Sequence, residues 1–316
     1  MREVKVPAFA KVNLRLDVLG KRLDGYHELR TIFQTISLYD EVRLRKSSKP
    51  GISLVIQGNQ SLAQEPLDKN LVYRAVHALR REMKTRGGVE IELWKAIPAG
   101  RGLGGGSSDA AAALTGYQRL VGKELPMARL IEIAASLGAD VPFFLIGGRA
   151  LGVNKGDEIY PLADIPEQTV LVVSPRDIHV PTPDAYRWLK APRLTKLAAT
   201  PKLWGFCALC WSAQGSGLSN DFERPVFRRH PRLGKIKREL LQRGATEALL
   251  AGSGSAVIGF FPSPAKARRA VVGFPQDQAF VCETVSRDRY LRLVHGASRV
   301  SGFVRANPDP RSSRAR

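Results

Sequence analysis

The sequence predicts a two-domain protein that mixes helix and strand, the α+β class once the resemblance below is added. At 316 residues the chain is long enough for each half to build its own core. Strand-like alternation and helical spacing both recur along it. A glycine-rich run, Pro98-Ala99-Gly100-Arg101-Gly102-Leu103-Gly104-Gly105-Gly106-Ser107-Ser108-Asp109, joins one pattern to the other near the centre.

Taken in order, Lys11 to Leu19 alternates polar and aliphatic residues and reads as a strand. Asp24-Gly25 signals a turn, and strand-like runs follow at 32–38, 41–46 and 52–57. A helix is expected from Asp68, with Leu71, Val72, Ala75, Val76, Leu79 and Met83 on one face and Gly87-Gly88 as its stop. Residues 89–94 read as a strand entering the glycine run, and 110–121 as the alanine-rich helix leaving it. A second amphipathic helix carries Met127, Leu130, Ile131, Ala134 and Leu137 and closes at Gly138. The second half opens with a hairpin over 150–159 and a buried strand over 169–174. A basic amphipathic helix over 235–243 follows, then a second glycine-rich loop, Gly252-Ser253-Gly254-Ser255, between apolar stretches.

Five glycines in seven positions, from Gly100 to Gly106, exceed what a simple turn needs. They strip side chains where something must approach the backbone, and bare N–H groups at a helix start suit a phosphate. No lysine precedes Ser107, which excludes a Walker loop. The Gly100–Gly105 match to a dinucleotide fingerprint sits in the wrong setting, away from a first strand. Ser107, Ser108 and Asp109 stand at the helix start, where they bind a metal or cap the helix. Asp140, between a helix stop and Val141-Pro142-Phe143-Phe144, reads either as an N-cap or as a partly desolvated general base. Spacing alone does not choose.

Composition sets outer limits. Hydrophobic content of 44 % and aromatic content of 7 % are ordinary for a globular protein. No apolar run reaches the ~18 residues of a membrane span, and the first residues lack the apolar core of a signal peptide. Cys207 and Cys210 lack a second pair or histidines at ligand spacing, so they read as small apolar residues beside Trp204, Phe206 and Trp211, and a reducing cytoplasm is expected. A net charge of +20 makes nucleic acid a partner to weigh, but the basic residues are spread along the chain, and an RNA partner is not expected. The segment from Arg299 carries five arginines and one aspartate and reads as a disordered basic tail.

The glycine run, continued through Ala110-Ala111, resembles the ATP loop of the GHMP small-molecule kinases. Further segments are similar to the kinases of 4-diphosphocytidyl-2-C-methyl-D-erythritol within that family: Ala10-Lys11-Val12-Asn13-Leu14, Asp24-Gly25-Tyr26-His27, Gly138-Ala139-Asp140-Val141-Pro142, Val180-Pro181-Thr182-Pro183, Leu218-Ser219-Asn220-Asp221-Phe222 and the loop at 252–255. They spread in the family's order over residues 4–259.

The resemblance implies an ATP-binding domain over 1–160 like ribosomal protein S5 domain 2, a GHMP C-terminal α+β domain over 161–298, and the tail over 299–316. It implies transfer of the ATP γ-phosphoryl to the 2-hydroxyl of the methylerythritol moiety, with Mg2+ accompanying ATP and metal ligands unassigned. Asp140 takes the hydroxyl proton in that scheme; Lys11 pairs with it and helps neutralise the moving phosphoryl. Asn13 holds the methylerythritol end. His27 hydrogen-bonds cytosine, Tyr26 and Tyr186 stack on its two faces, and Thr182 belongs to the same set. Gly102 to Ser107 wrap the ATP phosphates within an ATP-binding set that also takes in Pro98, Ala99, Gly100, Arg101 and Ser108, and Asn70 and Lys95 match positions near the adenine side. Two departures stand out: Arg101 adds a charge where the family often has a small or neutral residue, and Asp109 replaces an asparagine of some members. The competing readings are a GHMP kinase for mevalonate, homoserine or a sugar, and an RNA-binding protein.

Overall fold

The computed structural model describes residues 3–192 and 217–296. Cys207, Cys210 and the tail from Arg299 lie outside them. The first half is built on two long strands, β1 (Glu3–Lys21) and β2 (His27–Ser47), paired antiparallel. β3 (Ile52–Gln57), the one-turn helix α1 (Gln60–Ala63) and α2 (Leu71–Glu82) lead to β4 (Gly88–Trp94). Helices α3 (Gly105–Val121), α4 (Met127–Leu137) and α5 (Phe143–Ile146) precede the hairpin of β5 (Arg149–Asn154) and β6 (Glu158–Pro161). Then come β7 (Thr169–Ser174), α6 (Thr182–Leu189), β8 (Ser219–Asn220), α7 (Glu223–Arg229) and α8 (Pro231–Gln242). β9 (Glu247–Leu250), β10 (Val257–Phe261), α9 (Pro264–Ala270), β11 (Gln278–Glu283) and α10 (Arg287–Val294) complete the described chain.

Two sheets form. One runs β3-β4-β2-β1-β8, with β5 paired to β2 and β6 to β5; the other runs β11-β7-β10-β9. A first core lies between the larger sheet and α2, α3 and α4, a second packs α7, α8 and α9 on the smaller sheet, and a third fills the space between the sheets. Val12 and Leu14 of β1 face Val170, Val172 and Ile258 in that third core. Their alternates, Lys11 and Asn13, therefore turn to the opposite face. A slip of one residue would exchange the two pairs, taking apolar side chains worth about 1.5–3 kcal/mol each out of that core and driving the Lys11 charge between the sheets, away from Asp140. This fixes the register on which the site depends.

Several expectations shift. The runs at 32–38 and 41–46 are one strand, because Asp40 between them is buried and satisfied rather than a turn residue. The helix expected from Asp68 begins at Leu71, capped by the Asn70 side chain on Val72 N–H, since a short 3-10 turn takes 67–69. The helix after the glycine run starts at Gly105 rather than Ala110, so Ser107, Ser108 and Asp109 sit inside its first turns. The halves also interleave more than a cut at residue 160 implies: β8 adds to the first sheet, and α10 packs Tyr290, Leu293 and Val294 into the first core.

Candidate active site

A cleft of about 880 Å³ opens between the halves and is lined by Lys11, Asn13, Tyr26, His27, Asn70, Lys95, Pro98 through Ser107, Asp140, Thr182 and Tyr186. Every expected site residue except Ser108 borders it. Ser108 is buried on α3, its hydroxyl without a hydrogen-bond partner among the described residues.

At the cleft's centre the Lys11 ammonium lies 3.5 Å from Asp140 Oδ2. The lysine side chain is 5 % exposed and the aspartate 35 %, so the carboxylate, not the ammonium, meets solvent. Lys11 donates to Asn13 Oδ1 at 2.7 Å; Asn13 Nδ2 donates to Thr31 Oγ1 at 2.7 Å; Thr31 donates onward to the Arg15 carbonyl. This relay fixes the amide orientation of Asn13, and Asn13 in turn aims the lysine. Lys11 is buried and its main-chain N–H is taken by the Leu103 carbonyl of the glycine loop, so it is no solvated edge charge. The N-cap alternative for Asp140 also fails, because Pro142 occupies the cap position of α5 with no side-chain cap bond.

The glycine loop arches over this pair. Gly100, Gly102 and Gly104 all take positive φ, of 66°, 80° and 73°. At Gly102 a side chain is impossible, since a Cβ there would lie 1.9 Å from the Ala251 carbonyl oxygen of the second glycine loop. The loop is tied down by Lys11 N–H on the Leu103 carbonyl at 3.0 Å and Ala256 N–H on the Arg101 carbonyl at 3.2 Å. It delivers its chain to the start of α3 at Gly105, whose first N–H groups have no partner within the helix. The second loop, a weak signal by sequence, is thus part of the same wall, and Thr182 Oγ1 meets Ser253 Oγ at 2.9 Å.

Beneath the loop sits a buried charge cluster. Lys95 Nζ is bound by Asp40 and, at 2.6 Å, by Asp109 Oδ2, all three side chains being at most 4 % exposed. Asp40 Oδ1 accepts from Ala96 N–H at 2.5 Å and Ile97 N–H at 2.8 Å. Burial alone would lower the lysine's pKa; the Asp109 and Asp40 carboxylates outweigh it and hold the ammonium charged. Burial pushes the Asp109 carboxyl well above its ordinary range, opposed by Lys95 and reinforced by Asp40. Asp109 therefore gives α3 no side-chain cap bond; its Oδ2 is bonded to Lys95, and both residues also border the cleft.

At the far end His27 and Tyr186 stack with ring centroids 4.5 Å apart and planes 20° from parallel. Phe222 meets the same tyrosine edge-on at 4.8 Å. Burial raises the Tyr186 phenol above its usual range, with the Asp140 charge adding to it. Burial and the charge of Lys21 lower His27, favouring its neutral form. Tyr26 is 59 % exposed, with the Lys155 ammonium over its ring at 4.8 Å. Tyr26 and Tyr186 are therefore not ranged as two free faces of one slot, since His27 covers a face of Tyr186. Lys155, at the β5–β6 turn, was not foreseen; the hairpin was legible, but its approach to residue 26 comes from pairing of β2 with β5.

Comparison with known proteins agrees with this geometry. The family model for the GHMP kinases N terminal domain matches residues 70–148, and that for GHMP kinases C terminal matches residues 203–277. A 4-diphosphocytidyl-2-C-methyl-D-erythritol kinase of Solibacter usitatus is 43% identical over 317 residues, covering 99% of this chain and 98% of that protein. One from Geobacter sp. strain M21 is 39% identical, covering 90% of this chain and 99% of its own. A crystal structure of 4-(cytidine 5'-diphospho)-2C-methyl-D-erythritol kinase superposes with a TM-score of 0.73 at 36% identity, covering 89% of this chain and 99% of that one. With a buried lysine paired to an aspartate under a glycine loop and relatives matched end to end, the chain belongs to the 4-diphosphocytidyl-2-C-methyl-D-erythritol kinase family of the GHMP kinases.

Proposed function

We propose that the protein transfers the γ-phosphoryl group of ATP to the 2-hydroxyl of 4-diphosphocytidyl-2-C-methyl-D-erythritol, releasing ADP. One observation carries this reading: a single cleft holds the Lys11–Asp140 pair between a glycine-rich phosphate loop and the His27–Tyr186 stack. The acceptor's hydroxyl proton passes to Asp140 as its oxygen bonds to the γ-phosphorus and the bond to ADP breaks. Lys11, aimed by Asn13, faces the charge that builds on the transferring group. The loop N–H groups and the start of α3 receive the nucleotide's phosphates. Distance between the reacting centre and the aromatic end lets binding energy from the cytidyl group position the hydroxyl.

Mg2+ fits as the nucleotide's own ion. Such ions are held mostly by phosphate oxygens and water with one or two protein groups. Among the described residues no group of three or more His, Cys, Asp or Glu side chains is placed to cage a metal. Ser107, Asp109 and Asp140 all border the cleft; Ser107 would be its protein partner, since Asp109 Oδ2 is bonded to Lys95 and Asp140 serves the acceptor hydroxyl. When bound, the ion supplies charge neutralisation at the phosphates.

ADP release across a panel of acceptors tests the reading. Turnover is expected with the cytidine-diphosphate acceptor and not with free methylerythritol, mevalonate or homoserine. Equal release with free methylerythritol would remove the role given to the aromatic end. A second expectation concerns Tyr186→Ala, which removes a ring touching both His27 and Phe222. Calorimetry is expected to show acceptor binding weakened by about 1–3 kcal/mol, the worth of one base stack, with ATP binding little changed. An equal loss for ATP would place Tyr186 outside the acceptor site.

A further inference from the structure

The glycine loop and the acceptor-side helix α6 are far apart in sequence, yet one side chain joins them. Arg101, within the loop, donates from Nη1 to Ser255 Oγ at 2.8 Å and from Nη2 to the Arg176 carbonyl at 3.3 Å. Ser255 is fully buried and passes its own proton to the Ile178 carbonyl at 2.6 Å. Residues 176–178 run directly into Pro181 and α6, which carries Thr182 and Tyr186. Thr182 returns to the second glycine loop through Ser253. The ring of His179 crowds Gly100 from the same segment, its Cε1 lying 2.7 Å from where a Cβ would sit. The ATP loop, the 252–255 loop and the lead-in to α6 thus form one hydrogen-bonded patch with a planar, two-pronged guanidinium at its centre.

We propose that Arg101 is a positioning residue that couples the two ligand sites, so that a nucleotide on the glycine loop tightens binding of the cytidine-diphosphate acceptor, and the reverse. The proposal rests on the functional reading above. The physical basis is that the loop contains three positive-φ glycines and has little stiffness of its own. Phosphates on the loop add to the hold that Ala256 N–H already has on the Arg101 carbonyl, and the guanidinium transmits that added order to 176–178 and hence to α6. Linkage makes the effect equal in both directions. A lysine keeps the charge but, as a single point donor, cannot span Ser255 and Arg176 together.

Calorimetry on the full chain tests this. Acceptor affinity is measured with and without a non-hydrolysable ATP analogue, for the native protein, Arg101→Lys and Ser255→Ala. The analogue is expected to tighten acceptor binding about 5-fold or more in the native protein, and the factor is expected to fall toward one in both variants while both still bind acceptor alone. If Arg101 serves only as a charge facing phosphates, Arg101→Lys and Ser255→Ala both leave the analogue's affinity and the coupling factor at their native values, and the proposal is overturned. A native factor near one overturns it as well. Amide hydrogen exchange gives a readout that needs no acceptor. The analogue alone is expected to slow exchange in α6 of the native protein and not of Arg101→Lys. Unchanged protection of α6 in the native protein would defeat the coupling even if turnover with the proposed acceptor is normal. Protection without turnover would instead leave the coupling standing and sink the acceptor assignment.

Discussion

Replacing Asp140 by asparagine is expected to lower turnover by about 10²–10⁴-fold, the usual worth of a positioned general base. The substitution keeps size and shape, and the side chain is only partly buried, so the fold and both ligand affinities should persist. Asp140 makes no cap bond to α5, which leaves its pairing with Lys11 as the interaction at stake. Lys11→Met should also slow the reaction, because it removes the cation facing the developing phosphoryl charge. As the two groups act through one contact, the double variant should be little worse than the slower single variant. Single-turnover rate and melting temperature taken on the same Asp140→Asn sample check this. A stable protein with native chemistry would exclude the carboxylate as base.

Lys95→Met carries the largest expected effect on stability. The lysine is the one cation between two buried carboxylates, and removing it strands both in a site closed to water. Breaking a buried pair in this way costs about 3–5 kcal/mol. Asp109→Asn should cost much less, because it leaves the Lys95–Asp40 pair intact and relieves the surplus negative charge. Urea unfolding of both variants provides the comparison. A loss below about 1 kcal/mol for Lys95→Met would mean that the cluster does not hold the loop's foundation.

Local pattern made much of the site legible. The alternation of residues 11–19 already placed Lys11 and Asn13 on one face, and the density of glycines announced a loop bare of side chains, as Gly102 must be against the Ala251 carbonyl. What stayed hidden depends on partners distant in sequence. Asp40 looked like an interruption between two strands because nothing nearby reveals Lys95, 55 residues on. The start of α3 was read late because glycine is a poor helix former, yet here N–H groups rather than side chains are wanted. His27 and Tyr186 were expected around a base, and their mutual stacking joins the start of β2 to α6, elements far apart in sequence. Lys155 was invisible for the same reason.

Helix α10 has a consequence for the order in which the protein can be made. Tyr290 reaches back to the Phe144 carbonyl, and Gly147 is bare because the same ring presses on it, with a Cβ there 2.2 Å from Cδ1. Arg119 on α3 likewise holds the Val294 carbonyl at 2.7 Å. A ribosome that has finished α5 must still add the whole of the second half before this wedge exists, roughly seven to thirty seconds at about 5–20 residues per second. Throughout that interval the nascent first half presents an open apolar seam around Phe9 and Phe144, the surface a chaperone would hold.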